Sequence, residues 1–366
     1  MKILHLADGP RNIRAERAGI IAKTQSNQVD LYYTGNVNQM ILKKDLFKKR
    51  HFIPVSSRNN LLIDTSGFQS SLKGFINEVD PDIIHAHNIF MGKMAEKTGL
   101  PFVYDDHELW SQKVRCYQRK RIKSIVGKQL QQFLYPRWEK QLAKKSPVLV
   151  PTSGILQYYK NSYHTEEVFL FPNMPPLEEV EQLTFNEKND NSLISVAIIA
   201  FTENPPKHKQ MGGFYDLWKQ NDDLGKLMVI GQKGLKNTKN IISTGRVSHY
   251  DCYTRASMGH IGIIPFKPYW AYDQFSGANK GYLYIHSGLG LITAKTQIEF
   301  KPVIEEVGYG FQFETYAELI NYLRKSREQL TNIPSEKIRE IARTRFILDK
   351  FGENLMNAYK LALEKH

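Results

Sequence analysis

His85 and His87, in "PDIIHAHN", alternate along a run that reads as a strand, so both side chains face the same side of a sheet. The next such run, "PFVYDDHE", ends in Asp105, Asp106, His107 and Glu108. Imidazoles and carboxylates at adjoining strand ends can converge on one metal ion, or they can line a crevice as hydrogen-bonding groups. The spacing is looser than that of a zinc motif, and no metal is expected. A further group lies just past the first strand, where "DGPRNIRAERAG" places Arg11, Arg14 and Arg17 after the turn at Gly9. Guanidinium forks there could hold a phosphorylated acceptor, but a mobile, solvated loop is the preferred reading.

A different chemistry is suggested by "SGANKGYLYIHSGLGLITAKT", which begins at Ser276. Ser276, Gly277 and Ala278 are small enough to let an anion approach the backbone, and Asn279 and Lys280 open what reads as a helix. The N–H groups of a helix's first turn, its macrodipole and the Lys280 ammonium all favour negative charge there. Tyr282, Leu283, Ile285 and His286 would cover the inward face, and Gly288 would end the helix. An ordinary helix start with a solvated lysine is the alternative.

Short apolar runs alternating with helical stretches position these groups, which argues an α/β fold with parallel sheets. A first set comprises "KILHLA", "VDLYYTG", "PDIIHAHN", "PFVYDDHE", "PVLVPTS" and "EVFLFPN". Several end in small or polar residues, as strands do where their carboxyl ends open onto a ligand crevice. The proline-bearing, then acidic stretch "NMPPLEEVEQLTFNEKNDNS" reads as a linker. Alternation restarts with "SLISVAIIA", "KLMVIGQ", "NIISTGRV", "HIGIIPF" and "GLITAKT". With 366 residues, the chain exceeds twice the ~150 of a typical domain. The expected division is a first domain over 1–175, a linker over 176–191, a second domain over 192–345 and an amphipathic helix over 346–366. Each domain should be doubly wound, the two facing a cleft.

Hydrophobic residues make up 41% of the chain and the mean hydropathy is −0.44, as in a soluble protein with ample core. No apolar run approaches the ~18 residues of a membrane span, and "MKILHLADGP" turns polar too soon for a signal peptide. Cys116 and Cys252 form no CxxC and read as reduced side chains of a cytoplasmic protein. A net charge of +13 asks for an anionic partner. Much of it sits between Lys113 and Lys145, where Glu139 is the only acid and Phe133, Leu134, Tyr135 and Trp138 interleave with the bases. Pro136 should break or restart that helix. Basic residues with aromatic anchors suit peripheral attachment to an anionic membrane surface over 113–145. Nucleic acid would use the same charge without needing the apolar area, and is the less favoured partner.

The stretch from Ser276 resembles the "SPNKxFEYxAxGxPVIAT" signature of GT-B glycosyltransferases in the large GT4-type family. The resemblance extends over nearly the whole chain: "DPDIIHAHN", "PFVYDDHELW", "VLVPTSGILQYY", "VFLFPNMPP", "VIGQKG" and "ISTGRVSHYDCYTRASMGHIGIIPF" follow that family's motifs in order. Each motif is loose; their order is specific. The resemblance implies transfer of a sugar from a UDP- or GDP-linked donor to a glycan or polyprenyl-linked acceptor. It further implies retention of configuration, no bound metal or other cofactor, and a last helix crossing back to the first domain. It places Lys209, Lys280, Asn279, Ser276, Gly277 and Ala278 at the donor diphosphate, and Arg246 and Val247 beside the base. His107 matches the histidine that contacts the transferred sugar, which with Lys209 makes the catalytic pair. Gly9, Arg11, Arg14, His87, Glu108 and Asn173 fall on the acceptor side of the cleft. Two departures stand out. Leu283 replaces the glutamate that usually binds the ribose hydroxyls, with Asp273 nearby as a possible substitute, and Phe201 stands near the usual arginine, with Lys207 able to supply charge. They motivate a rival reading, a catalytically degenerate binding protein. A nucleic-acid-modifying glycosyltransferase and a sugar-nucleotide epimerase are more distant alternatives.

Overall fold

In a computed structural model, the first sheet is built from β1 (Lys2–Leu6), β2 (Asp30–Gly35), β3 (Lys49–Phe52), β4 (Ile83–His87), β5 (Phe102–Asp105), β6 (Val148–Val150) and β7 (Val168–Leu170). The structure describes residues 1–7, 13–35, 41–53, 66–116, 122–188, 192–199, 213–265 and 272–366. The strand order is β3-β2-β1-β4-β5-β6-β7, every pairing parallel. Ile3, Leu4, Ile83, Ile84, Val103, Val148 and Leu149 are fully buried. Near-continuous apolar strands are what a parallel sheet covered on both faces requires. Chain order runs outward from β1 in one direction and, from β4, in the other. The β1/β4 boundary is therefore the topological switch point, where such sheets hold ligands beyond their carboxyl ends.

A second sheet is built from β8 (Ile194–Ile198), β9 (Lys226–Ile230), β10 (Ile241–Gly245), β11 (Ile261–Ile263), β12 (Gly290–Ala294) and β13 (Gly310–Phe313). Its order, β10-β9-β8-β11-β12-β13, repeats the doubly wound plan with the switch at β8/β11. The chain divides into one unit of Met1–Pro176 with Leu348–His366, and another of Leu177–Ile347.

Several details differ from the sequence reading. The stretch 176–191, expected to be a linker, enters the second unit at Leu177. Leu177–Val180 forms a short helix of the second unit, anchored by buried Glu179, which accepts from Tyr253 Oη at 3.0 Å and meets His249 Nε2 at 2.7 Å. The terminal segment is not one helix from 346. Phe346 ends the helix Ser335–Arg345, a 3₁₀ turn spans Leu348–Phe351, and Gly352–Glu364 forms the last helix of the first unit. Pro136 does not break the helix Ile122–Lys145. It removes one backbone bond, but Tyr135, Glu139 and Leu142 are buried on either side and their packing carries the helix through. β3, "KRHF", is not among the expected strands because it lacks an apolar run; it is an edge strand, where charge is tolerated.

Candidate functional site

At the switch point of the first sheet, register alone sets His5 opposite His85 and His87 opposite Asp105. His5, His85, His87 and Asp105 are all fully buried. The three imidazoles stack, with ring centroids 4.3 Å apart for His85 and His87, 4.8 Å for His5 and His85, and 5.3 Å for His5 and His87. Their planes differ by only 12–24°. Asn88 follows directly with φ of 72°, a left-handed conformation uncommon outside glycine, and its Oδ1 accepts from Phe90 N.

Asp105 is the hub. Arg14 Nε donates to Oδ1 at 2.9 Å and to Oδ2 at 2.8 Å, and Arg14 Nη2 donates to Oδ1 at 2.7 Å. Arg14 Nη1 reaches Asn173 Oδ1 at 3.0 Å, and Arg17 Nη1 donates to the Asn173 carbonyl at 3.1 Å. Arg14 and Arg17 thus belong to the helix Ile13–Gln25 and are buried, contrary to the solvated loop expected of them. Burial would raise the Asp105 pKa, but Arg14 and His107 together hold its carboxyl well below the usual carboxylate range. Burial conversely lowers the pKa of His5, His85 and His87, keeping them neutral at physiological pH. A carboxylate only accepts, so His85 donates from Nε2 to Asp105 Oδ2 at 3.2 Å. That leaves His85 Nδ1 to accept from Tyr359 Oη at 2.7 Å. His107, part-exposed, places Nε2 3.3 Å from Asp105 Oδ2 and 3.2 Å from His87 Nδ1.

The next residue points the other way, as alternation along an extended backbone requires. Asp106 accepts from Tyr159 Oη at 2.8 Å, and burial pushes its carboxyl up to about 6. Glu139, within the basic helix, accepts from Ser111 N at 2.9 Å and Tyr163 Oη at 2.8 Å. Burial, reinforced by Asp106, pushes it up to about 8. Glu108 turns away from the cluster and pairs with Lys113.

In the second unit, the helix Asn279–His286 follows β11. Its N-cap is Ala278, extended and without a side-chain cap, so the first-turn N–H groups lack that partner. Ser276, Gly277 and Ala278 are half-buried, Asn279 is exposed, and Lys280 is half-buried with its Nζ shielded from solvent. The helix is fixed on the sheet by Tyr284, whose hydroxyl accepts from Ile198 N at 2.7 Å and donates to the Ile263 carbonyl at 3.2 Å. Those are the ends of β8 and β11, the switch point itself. Gly262 makes this possible, since a Cβ there would lie 2.1 Å from Tyr284 Cγ. Leu283 is buried, as the sequence pattern predicts. Asp273 opens a single 3₁₀ turn, Asp273–Phe275, just before the helix. Arg246, exposed, and Val247 follow β10 at the sheet edge, three strand positions from β11 or ~14 Å at ordinary spacing. Gly9, Arg11, Phe201, Lys207 and Lys209 lie outside the described residues.

Sequence reasoning missed two members of the first cluster. His5 showed only as a lone polar residue within "KILHL", and Tyr359 lies 274 positions from its partner His85.

No protein-family model matches the chain, and no curated protein sequence matches it. Solved structures do. A sucrose-phosphate synthase from Thermosynechococcus elongatus superposes with a TM-score of 0.69 at 12% identity, over 99% of this chain and 98% of that one. Anabaena HepE, solved in complex with UDP and glucose, gives 0.67 at 14% identity over 98% of each chain. WaaG, a glycosyltransferase involved in lipopolysaccharide biosynthesis, gives 0.66 at 14% identity over 99% of each. The chain has the GT-B fold. GT-B proteins of such low mutual identity share an architecture, so the chemistry of this one has to be argued from its own residues.

Proposed function

We propose that this GT-B protein is a glycosyltransferase that moves a sugar from a UDP- or GDP-linked donor to a glycan or lipid-linked acceptor, with retention of configuration. The reading rests chiefly on one observation: a side-chain-uncapped helix start bearing Lys280 follows a strand at the switch point of the second sheet, the end where doubly wound sheets take nucleotides. Developing charge on a departing diphosphate is met there by first-turn amides and by Lys280, and the family resemblance adds Lys209, so no metal is needed at the leaving group. In the first unit, His107 is the part-exposed member of an otherwise buried cluster and is the group that touches the sugar. Arg14 and Asn173 act through Asp105 and the neighbouring backbone to position it. Leu283 cannot accept from ribose hydroxyls, so donor recognition relies on the base and diphosphate.

Calorimetry with UDP- and GDP-sugars tests this. The expected outcome is micromolar binding of one donor class, lost in Lys280→Ala and Lys209→Ala while the fold is retained. Absence of binding to the whole panel favours a degenerate binding protein; donor consumption without an acceptor indicates an epimerase.

The acceptor side of the proposal includes an anionic membrane surface. On the helix Ile122–Lys145, Val126, Leu130 and Phe133 are 59, 52 and 54% exposed, spaced four and three residues apart and hence on one face. Exposed Arg137 stacks on Phe133, and exposed Lys140, Lys144 and Lys145 follow. An apolar ridge flanked by cations is the pattern of an interfacial helix. No helix among the described residues is long and apolar enough to cross a membrane. Flotation with anionic vesicles should retain the protein, and the triple change Val126→Ser, Leu130→Ser, Phe133→Ser should release it; equal flotation of both refutes the surface.

A further inference from the structure

We infer that His87 Nδ1, His107 Nε2 and Asp105 Oδ2 form a binding site for one divalent transition-metal ion. The three atoms make a nearly equilateral triangle with edges of 3.2, 3.3 and 3.3 Å. Closure of the triangle separates the two ways of reading it. A single edge of this length also fits a hydrogen bond, as His85 Nε2 to Asp105 Oδ2 at 3.2 Å does, but here all three edges close on one another. Ligands at ~2.0–2.1 Å around a tetrahedral ion lie ~3.3–3.4 Å apart, which every edge approaches.

Existing hydrogen bonds separate this trio from its neighbour. His5, His85 and His87 also bring their nitrogens close together, but His5 Nδ1 and His87 Nε2 are joined at 3.0 Å and both His85 nitrogens are bonded, to Tyr359 and Asp105. His87 and His107 cross at 62°, and their lone pairs can meet. The supports an ion needs are in place. His87 Nε2 is held by His5 Nδ1 at 3.0 Å, fixing the ring that presents Nδ1. Arg14 bonds both Asp105 oxygens, Oδ1 at 2.7 and 2.9 Å and Oδ2 at 2.8 Å, and Oδ2 also accepts from His85, itself held by Tyr359, so the carboxylate is fixed in place. Two nitrogen donors and one carboxylate select a borderline ion such as Zn²⁺ over Mg²⁺ or Ca²⁺. His107 is 22% exposed, so a fourth position opens toward solvent, where it would take water or a hydroxyl. The site is separate from the metal-free diphosphate contacts and revises the sequence-based expectation of no metal.

The test is equilibrium dialysis of the full-length protein, stripped with EDTA, against micromolar Zn²⁺ and Co²⁺ without any substrate. One tightly bound equivalent is expected, with visible Co²⁺ absorption of tetrahedral type. His107→Ala should weaken binding at least ~100-fold, beyond the 10–100-fold typical of outer-shell changes, while Tyr359→Phe should stay within that range. His366→Ala, at the exposed terminus, should bind as the parent does. X-ray absorption on the Zn²⁺-loaded parent should show only nitrogen and oxygen ligands at ~2.0–2.1 Å, which needs no variant to fold. No stoichiometric ion, or one that survives His107→Ala, overturns the site. Because no turnover is measured, that failure leaves the glycosyltransferase reading untouched, and failure of donor binding leaves this one untouched.

Discussion

Removing the Arg14 guanidinium should unfold the first unit far more readily than any surface substitution. Arg14 makes three bonds of 2.7–2.9 Å to Asp105; the arginine side chain is 7% exposed and the aspartate 0%. Arg14→Met preserves much of the side-chain volume over the Phe171 ring, 5.2 Å away, but leaves a carboxylate charge buried without its cation. Orphaning one partner of such a pair costs about 3–5 kcal/mol. With a urea slope of ~2 kcal/mol per molar, the midpoint should fall by about 2 M. Two units make a single transition an unsafe assumption, so hydrogen exchange should be followed on peptides from β4 and β5 against β8 and β9, in chelator-containing buffer. Protection should drop in the first pair and hold in the second. The double change Arg14→Met with Asp105→Asn removes the stranded charge and should recover ~1–3 kcal/mol of the loss. A cost under ~1 kcal/mol would mean the pair behaves like a surface bridge. A double variant no more stable than the single would assign the effect to packing on Phe171. Either result refutes the argument.

Glu139, with its folded pKa raised to about 8 by burial, binds its proton more tightly folded than unfolded, so its contribution to stability falls as pH rises from ~4.3 toward 8. Glu139→Gln should remove that loss, and the difference in urea midpoint between variant and parent should widen from pH 5 to pH 8; a constant difference argues against the buried acid. Gly262→Ala should destabilise the second unit by about 1–3 kcal/mol by displacing Tyr284, seen as faster exchange in β8 and β11 with β4 and β5 unchanged. Tyr284→Phe leaves the Ile198 amide without its acceptor and should cost about 1–3 kcal/mol in the same unit, read from the same exchange data.

What could be read from the sequence followed from how each feature is encoded. Strands buried on both faces are continuous apolar runs, so "KILHL", "ISVAI" and "GLITA" declared themselves. His85 and His87 were visible because alternation places them on one face, and Asp105 with His107 because they close the next strand. Edge strand β3 carries charge instead of apolar residues and gave no signal. Glu108 sat beside the right residues, yet its pairing with Lys113 is decided by a side-chain choice that spacing does not encode. Arg14 and Arg17 looked like loop cations because nothing local reveals that Asp105 and Asn173 wait 91 and 159 residues away. Proline at position 136 misled for the converse reason: tertiary packing outweighed a local rule.

The first unit closes around a segment that ribosomes make only after the second unit. The nascent chain leaves that unit at Pro176 and supplies its final helix only from Leu348, some 170 residues later. At ~5–20 residues per second, this leaves the seven-stranded sheet waiting roughly 10–30 s for the tyrosine that holds His85. The intervening unit, continuous in sequence, can complete itself in that interval. Assembly order is therefore inverted relative to synthesis order, and a message truncated before codon 348 yields a finished second unit attached to an unfinished first.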